Sequence, residues 1–284
     1  MNILAKTETV KNRLDCLWRF VEERERIRVK KESGKARPWT DDELLGTYHF
    51  CNVRRADDRV TKWIGSWAYS YDARYRWFLF AVARWFNEPE VLSDMPVGFH
   101  NGGWQPSLVK KYLKKRVENG AGCFRGSYII TGAFSNKGQP KYESVVDKVL
   151  TPLWQDPPVI VKDWNEWSWK NLMDYTGFGS FMAGQIVADW ETFGVIKGKD
   201  VNTWAPLGPG SARGLHWIFQ NHYKLGQADA VKLMAHCRQH LIARNPTLGL
   251  TLSLHDVQNC LCEFSKYTRG YAKTKYQPYE ERLL

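Results

Sequence analysis

Residues 174–215 read DYTGFGSFMAGQIVADWETFGVIKGKDVNTWAPLGPGSARGL, and the turn near their start sets the expected architecture. Thr176-Gly177-Phe178-Gly179-Ser180 ends one helical pattern and begins another. Upstream, Trp164, Trp167, Leu172 and Met173 give an apolar helix face; downstream, Ile186, Val187 and Trp190 give a second one. Two helices joined by a Gly-x-Gly turn make a helix-hairpin-helix over 164–190. The glycines admit positive φ, and the amides that open the second helix face outward with the positive end of its dipole. Such a turn suits a phosphate, most naturally one in a DNA backbone. A plain turn between two core helices gives the same local pattern, so the rest of the chain has to decide.

Beyond the hairpin, Asp189 is expected to end the second helix. Asp200 and Asn202 fall in a short polar connection, and Gly208-Pro209-Gly210-Ser211-Ala212-Arg213-Gly214 is expected to form a second glycine-rich turn. The segment resembles helix-hairpin-helix DNA glycosylases, which place a catalytic aspartate after the hairpin helix at a comparable distance. The lysine nucleophile of their bifunctional members falls near Phe181 here. Val201-Asn202-Thr203-Trp204 stands where they have Val-Asp-Thr-His. The resemblance implies a shared scaffold with a different reaction.

The chain of 284 residues is long enough to bury a substantial core. Its 41 Lys and Arg against 30 Asp and Glu leave a net charge of +11, spread along the chain, which favours a polyanion such as DNA or RNA over a membrane. With 14 Trp, 13 Tyr and 13 Phe, there are rings enough for a core and for stacking on extruded bases. The six cysteines lack the spacing of a zinc site or an iron–sulfur cluster and read as free thiols. No metal and no cofactor are expected. The N-terminus is no signal peptide and the longest apolar run, Trp77 to Ala83, cannot span a bilayer, so a soluble cytoplasmic protein is expected.

Residues 8–31 read as an amphipathic helix with Leu14, Leu17, Trp18 and Val21 on one face and a solvated, mixed-charge far end. Thr40, before Asp41, Asp42 and Glu43, reads as an N-cap. In FCNVRRADDRVTKW, Asn52, Arg55, Asp58 and Arg59 recur at spacings of three and four, so a helix would place them on one face, where an arginine pair can clamp a phosphate. Residues 71–86 form the most apolar helix. VKKYLKKRVENG carries Lys110, Lys111, Lys114, Lys115 and Arg116, the best electrostatic footprint for a nucleic-acid backbone. Gly126 to Gly132 is the one convincing strand, half of a small β-hairpin. Helices follow over 142–150, 215–223, 227–244 and 256–266; in the last, Glu263, Lys266, Tyr267 and Arg269 are expected to remain polar. The fold class is therefore mainly α, a glycosylase-like helical fold with at most a small hairpin of strands. Residues 1–39 are read as an N-terminal helix and 40–284 as one domain of two interleaved lobes.

Three pieces carry a wider resemblance: FCNVRRADDRVTKW, the stretch from TGFGSFMAGQIVADW to GPGSARGL, and HDVQNCLCEFSKYTRGY. Together they resemble the alpha-glutamyl/putrescinyl-thymine pyrophosphorylase clade, related to the helical domain of 5-hydroxymethyl-deoxyuridine DNA kinases. The likeness covers roughly residues 40–280, and LCEF-x-KY-x-R is its most specific part. After Tyr267-Thr268-Arg269 this chain has GYAKTKYQ where the clade has a basic run. The resemblance implies a phage protein of the host cytoplasm that acts in thymine hypermodification. An upstream kinase activates 5-hydroxymethyluracil in double-stranded DNA as a phosphate or pyrophosphate ester. A protein of this clade then displaces that group with an amine or amino acid.

Carried over residue by residue, the resemblance implies Asp189, Asp200 and Glu263 as candidate catalytic acids. It implies Asn52, Arg55, Asp58, Arg59, Arg213, Lys266, Tyr267 and Arg269 around the leaving phosphate. Gly177, Phe178, Gly179, Ser180, Gly210 and Ser211, with the basic helix, are expected on DNA. Cys262 is a candidate for covalent addition to the base, although a buried structural thiol fits an apolar helix better. Two other functions fit the same scaffold: a monofunctional DNA glycosylase, and a non-catalytic DNA-binding module of a modification complex.

Overall fold

The computed structural model describes residues 9–99, 103–124, 138–220 and 225–270. These are mainly helical, with no strand among them; the strand expected over 126–132 lies outside the described residues. The elements are α1 (Val10–Glu32), α2 (Glu43–Thr47), α3 (Arg59–Tyr69), α4 (Arg76–Phe86), α5 (Pro89–Leu92), α6 (Pro106–Glu118) and α7 (Lys141–Val145). A π turn (Val146–Leu150) leads from α7 into α8 (Thr151–Gln155), and then come α9 (Asn165–Met173) and α10 (Ser180–Thr192). The last four are α11 (Pro209–Phe219), α12 (Gln227–Arg244), α13 (Pro246–Gly249) and α14 (Leu254–Tyr267). Among the described residues no helix is long and apolar enough to cross a membrane. The chain forms two compact units, one of Met1–Asp58 with Val201–Leu284 and one of Arg59–Asp200.

The first unit is built around α1. Thr9 caps it, accepting from the Asn12 amide at 3.2 Å. Leu14, Leu17, Trp18 and Val21 are buried as their spacing predicts, and the helix packs on α11, α12 and α14. Arg24, expected on the solvated end, instead continues the buried stripe. Phe20 meets Phe50 and Phe264 at ring distances of 5.4 Å and Tyr267 at 4.9 Å. Tyr267 is thus a core residue rather than part of a polar face. Its hydroxyl donates to Asp42 at 2.6 Å. Asp42, not Thr40, caps α2 by accepting from the Leu45 amide; Thr40 accepts from Asp42 itself.

The expected second glycine turn is the start of α11. Pro209 occupies the first helical position, where its missing N–H costs nothing. Ser211 closes the end, accepting from the Gly208 amide at 3.1 Å and from Gln258 at 3.2 Å. Gly210 and Gly214, one helical turn apart, lie against α14. A Cβ on Gly210 would stand 2.2 Å from Cys262 Sγ, and one on Gly214 2.4 Å from the Leu261 carbonyl oxygen. The absent side chains set the distance between the two helices.

The second unit has α4 at its centre, with every residue from Phe78 to Phe86 buried. Within it Arg84 grips Asp189 of α10 in bidentate fashion at 2.5 and 2.8 Å, and also reaches Thr61 at 2.8 Å and Asn87 at 3.1 Å. Asp189 lies inside α10, which continues to Thr192, so it does not end that helix. Removing one partner of such a buried pair costs about 3–5 kcal/mol. The α9–α10 pair is present as two helices joined by residues 174–179. The buried face of α9 is Asn165, Ser168, Trp169 and Leu172, and Trp164 and Trp167 point away from the core. Gly177 has φ of +87°, and a Cβ there would press on Val149 and Trp85. Phe178 is buried edge-on against Trp85.

The contact of α11 with α14 gives the first prediction. Gly214→Ala meets backbone and should cost about 1–3 kcal/mol by overpacking. Gly210→Ala meets a side chain, so Cys262→Ala should recover part of its loss, with a coupling of at least about 0.5 kcal/mol in a double-mutant cycle. Urea midpoints followed by circular dichroism measure both, and strictly additive losses would contradict the close approach.

Candidate phosphate and nucleic-acid site

Residues 51–54 lie outside any helix, and backbone drawn from water without secondary structure needs other partners. α14 supplies them from one face. Glu263 accepts from the Cys51 amide at 3.1 Å, Asn259 donates to the Asn52 carbonyl at 3.4 Å, and the Cys260 thiol points at the Val53 carbonyl at 3.7 Å. Asp256 accepts from the Arg55 amide at 2.8 Å. The positions 256, 259, 260 and 263 follow helical spacing, and the segment runs antiparallel to them. Arg24 of α1 completes the seat: its guanidinium donates to the Cys51 and Asn52 carbonyls and lies 4.9 Å over the Phe20 ring.

This corrects the expectation that Asn52, Arg55, Asp58 and Arg59 share a helix face. Only a single 3-10 turn, Arg55–Asp57, forms before α3 begins at Arg59. Asn52 closes that turn by donating to the Asp57 carbonyl at 2.8 Å. The same loop sends Arg54 into a cleft of about 530 Å³ with Glu22, Glu25, Arg26 and Thr251. Both carboxylates there are already paired, Glu25 with Arg28 and Arg54 and Glu22 with Asn245.

Around the seated loop several charges converge. Glu263 is buried, with one oxygen on the Cys51 amide and the other on the Lys266 ammonium. Burial and the charge of Glu263 push the Cys51 thiol up to about 12, with Asp58 acting in the same direction and Lys266 and Arg24 against it. Burial and Glu263 likewise raise Cys262, opposed by Lys266, Arg213 and Arg24. Glu263, Lys266 and Arg24 thus act on both thiols, Asp58 on Cys51 and Arg213 on Cys262. Both thiols stay protonated near neutral pH, which argues against Cys262 as a nucleophile. Arg269 is exposed and donates to the Ser265 carbonyl at 2.8 Å.

Three residues of this seat escape a search for chemistry in the sequence: Arg24, Asp256 and Asn259. Signals for two of them exist. Arg24 falls three residues after Val21 and seven after Leu17, on the apolar stripe of α1. Ser253 and Asp256 have capping-box spacing, and they form the box.

The other candidates lie in the second unit. Asp200 is buried and accepts from the amides of Asn165 and Glu166 at 2.8 and 2.9 Å, capping α9 from 35 residues away. Gly179 is the N-cap of α10 in extended conformation, and a Cβ there would meet nothing within 4 Å. Ser180 opens the helix, its carbonyl accepting from Trp169 at 3.1 Å. On α6, Lys111, Lys114 and Lys115 are exposed, and Lys110 pairs with Asp147 at 2.8 Å. Arg116 reaches the Gly122 and Glu90 carbonyls at 3.4 Å. Among the described residues no group of three His, Cys, Asp or Glu could hold a metal ion.

Two expectations follow. Asp200→Ala should lower stability by about 0.5–2 kcal/mol, the usual cost of losing a helix cap, with Asp200→Asn losing less; thermal melts read both. If α6 contacts DNA, Lys111→Ala with Lys115→Ala should flatten the log-affinity against log-salt slope by about 0.9 per lost contact. Lys110→Ala, whose ammonium is already neutralised, should change it least. A slope unmoved by the double substitution returns α6 to a merely solvated face.

With the geometry in place, comparison with known proteins identifies relatives. A family model described as the 5-hmdU DNA kinase helical domain matches residues 11–276. The 5-hmdU DNA kinase of Bacillus phage SP10 is 27% identical over 273 residues, covering 84% of this chain and 42% of that protein. The chain thus spans about two fifths of the length of that curated relative. No solved structure matches it. With nearly its whole length inside that match, the chain belongs to the family of 5-hmdU DNA kinase helical domains.

Proposed function

We propose that this chain serves phage thymine hypermodification by recognising a 5-substituted uracil in duplex DNA. It would displace phosphate or pyrophosphate from the activated base with an amine or amino acid. The observation that carries the reading is the loop Cys51–Asp58 seated on α14, where the buried Glu263 holds both the Cys51 amide and the Lys266 ammonium. A kinase and a transferase working on the same base share the task of recognising it. A common helical domain with one relative named a 5-hmdU DNA kinase fits that division.

In this reading Arg213 and Lys266 face the leaving phosphate, Arg55 extends the clamp, and Asn52 holds the loop that presents it. Guanidinium and ammonium groups offset the charge that grows as the ester departs. The amine nitrogen bonds to the exocyclic methylene carbon while the carbon–oxygen bond to phosphate breaks and its electron pair leaves with the phosphate. The incoming ammonium must first shed a proton, and Asp58 is the carboxylate we assign to take it. Glu263 positions Lys266 and the Cys51 amide. Asp189 and Asp200 hold structure, one in a buried ion pair and one at a helix cap, and need no part in the chemistry. The amides around Gly177, Phe178, Gly179 and Ser180 and the lysines of α6 would hold the DNA backbone. Gly210 and Ser211 act through the packing of α11. No nucleotide triphosphate is required, since the ester already stores the energy.

The test supplies duplex DNA containing 5-phosphomethyluracil, 5-pyrophosphomethyluracil or 5-hydroxymethyluracil, with amino acids and putrescine, and reads nucleosides by mass spectrometry. An amine adduct should form from phosphorylated DNA alone, with equal release of phosphate or pyrophosphate. Lys266→Ala or Arg213→Ala should cut the product at least about tenfold, the worth of a charge-assisted contact, while duplex affinity falls little. Conversion of unphosphorylated DNA, or abasic sites, would sink the transferase reading. Selective binding of the modified duplex without turnover would favour the recognition module, a reading the shared kinase domain already supports.

A further inference from the structure

The first helix of the hairpin carries two of its three tryptophans, Trp164 at its N-cap and Trp167, on the wrong side for a core. Trp164 and Trp167 are 45% and 54% exposed, and no other tryptophan among the described residues is exposed. They stand three residues apart at the start of α9, so they share a face, opposite the buried Asn165, Ser168, Trp169 and Leu172. A scattered exposed leucine needs no explanation, but two neighbouring indoles in water mark a contact surface.

The surroundings of the rings narrow the partner. The Lys170 ammonium lies 4.8 Å over the Trp167 ring and is tied to Glu166 at 2.9 Å. The Lys197 amide bonds to the Lys162 carbonyl at 2.6 Å and the Lys199 amide to the Asp163 carbonyl at 2.7 Å, laying 197–199 alongside the entry to α9. Lys199 pairs with Asp163 at 3.0 Å. Lys162 and Lys197 are exposed and have no carboxylate partner among the described residues. An apolar protein partner would have to bury those two cations unpaired, at a high cost. A DNA duplex offers phosphates but keeps its base faces stacked on one another. Unpaired bases on a phosphate chain satisfy both features, since every base has a π-face and lysines follow the backbone.

We propose that the outer face of α9, Trp164 and Trp167 between Lys162, Lys170 and Lys197, is a stacking platform for unpaired nucleic-acid bases. The platform does not depend on whether the chain transfers an amine.

Fluorescence anisotropy of a labelled twelve-residue oligothymidine and of a labelled duplex of equal length tests this on the full chain. The native protein should bind the single strand. Trp164→Ala and Trp167→Ala should each weaken that binding about five- to a hundredfold, the range for one base-stacking ring. Duplex affinity should change less than about twofold, because phosphate contacts carry it. Trp167→Phe should retain most of the single-strand affinity, which a merely structural indole would not explain. Undetectable single-strand binding at low salt, equal losses on both probes, or full affinity in the double alanine variant overturns the proposal. So does native self-association in sedimentation that the double variant abolishes while single-strand binding persists, which would assign the face to a second copy of this chain.

Discussion

A buried stretch of backbone outside helix or sheet must find a partner for each amide and carbonyl or lose roughly the energy of the missing bonds. In the first unit that constraint bears on residues 51–54, buried or half-buried, and on the amide of Arg55, and α14 meets it. Asp256, Asn259, Cys260 and Glu263 stand on one helix face and reach Arg55, Asn52, Val53 and Cys51 of the loop, while Arg24 comes from α1 to take two carbonyls. The arrangement commits α14 to a fixed rotation about its axis. Its opposite side then meets Gly210 and Gly214 of α11, where nothing larger than hydrogen fits. The loop, α14 and α11 are therefore set by each other. A change at any of the three is felt by the charges around Cys51 and Cys262.

That mutual seating has a functional side. Glu263 serves the loop with one oxygen and Lys266 with the other, so the cation is oriented by the group that anchors the backbone. Pre-orientation of this kind lets a cation meet developing negative charge without paying to reorganise at the moment of reaction. It also explains why two cysteines can sit amid charged groups and stay inert, since burial and the adjacent carboxylate hold both thiols in their protonated form.

The second unit uses its acids differently. Asp189 is enclosed with Arg84 in a bidentate pair extended by Thr61 and Asn87. Asp200 replaces the missing acceptors at the start of α9. An isolated aspartate near a glycine turn invites a catalytic reading. Here Asp189 pairs a buried charge and Asp200 caps a helix, the two commonest demands on a buried carboxylate.

The amino-acid sequence determined most of the helices, because periodicity is a local property. Leu14, Leu17, Trp18 and Val21 faced the core as their spacing required, and 227–244 formed a helix with the expected bounds. It also marked the hairpin at Gly177, where positive φ demands glycine. The family likeness pointed to a phage DNA-modification lineage, and the match over residues 11–276 places the chain there at the level of its helical domain. What the sequence could not settle was direction. Gly208–Gly214 has turn composition, yet Gly210 and Gly214 are small because α14 passes against them. Trp164 and Trp167 look like core by hydropathy, and only the packing of Trp169 and Leu172 turns them outward. Asn52, Arg55 and Asp58 have helical spacing, but bonds to residues some 200 positions away hold them in a loop. Contacts so distant in the chain leave no periodic trace in it, so only the tertiary structure decides them.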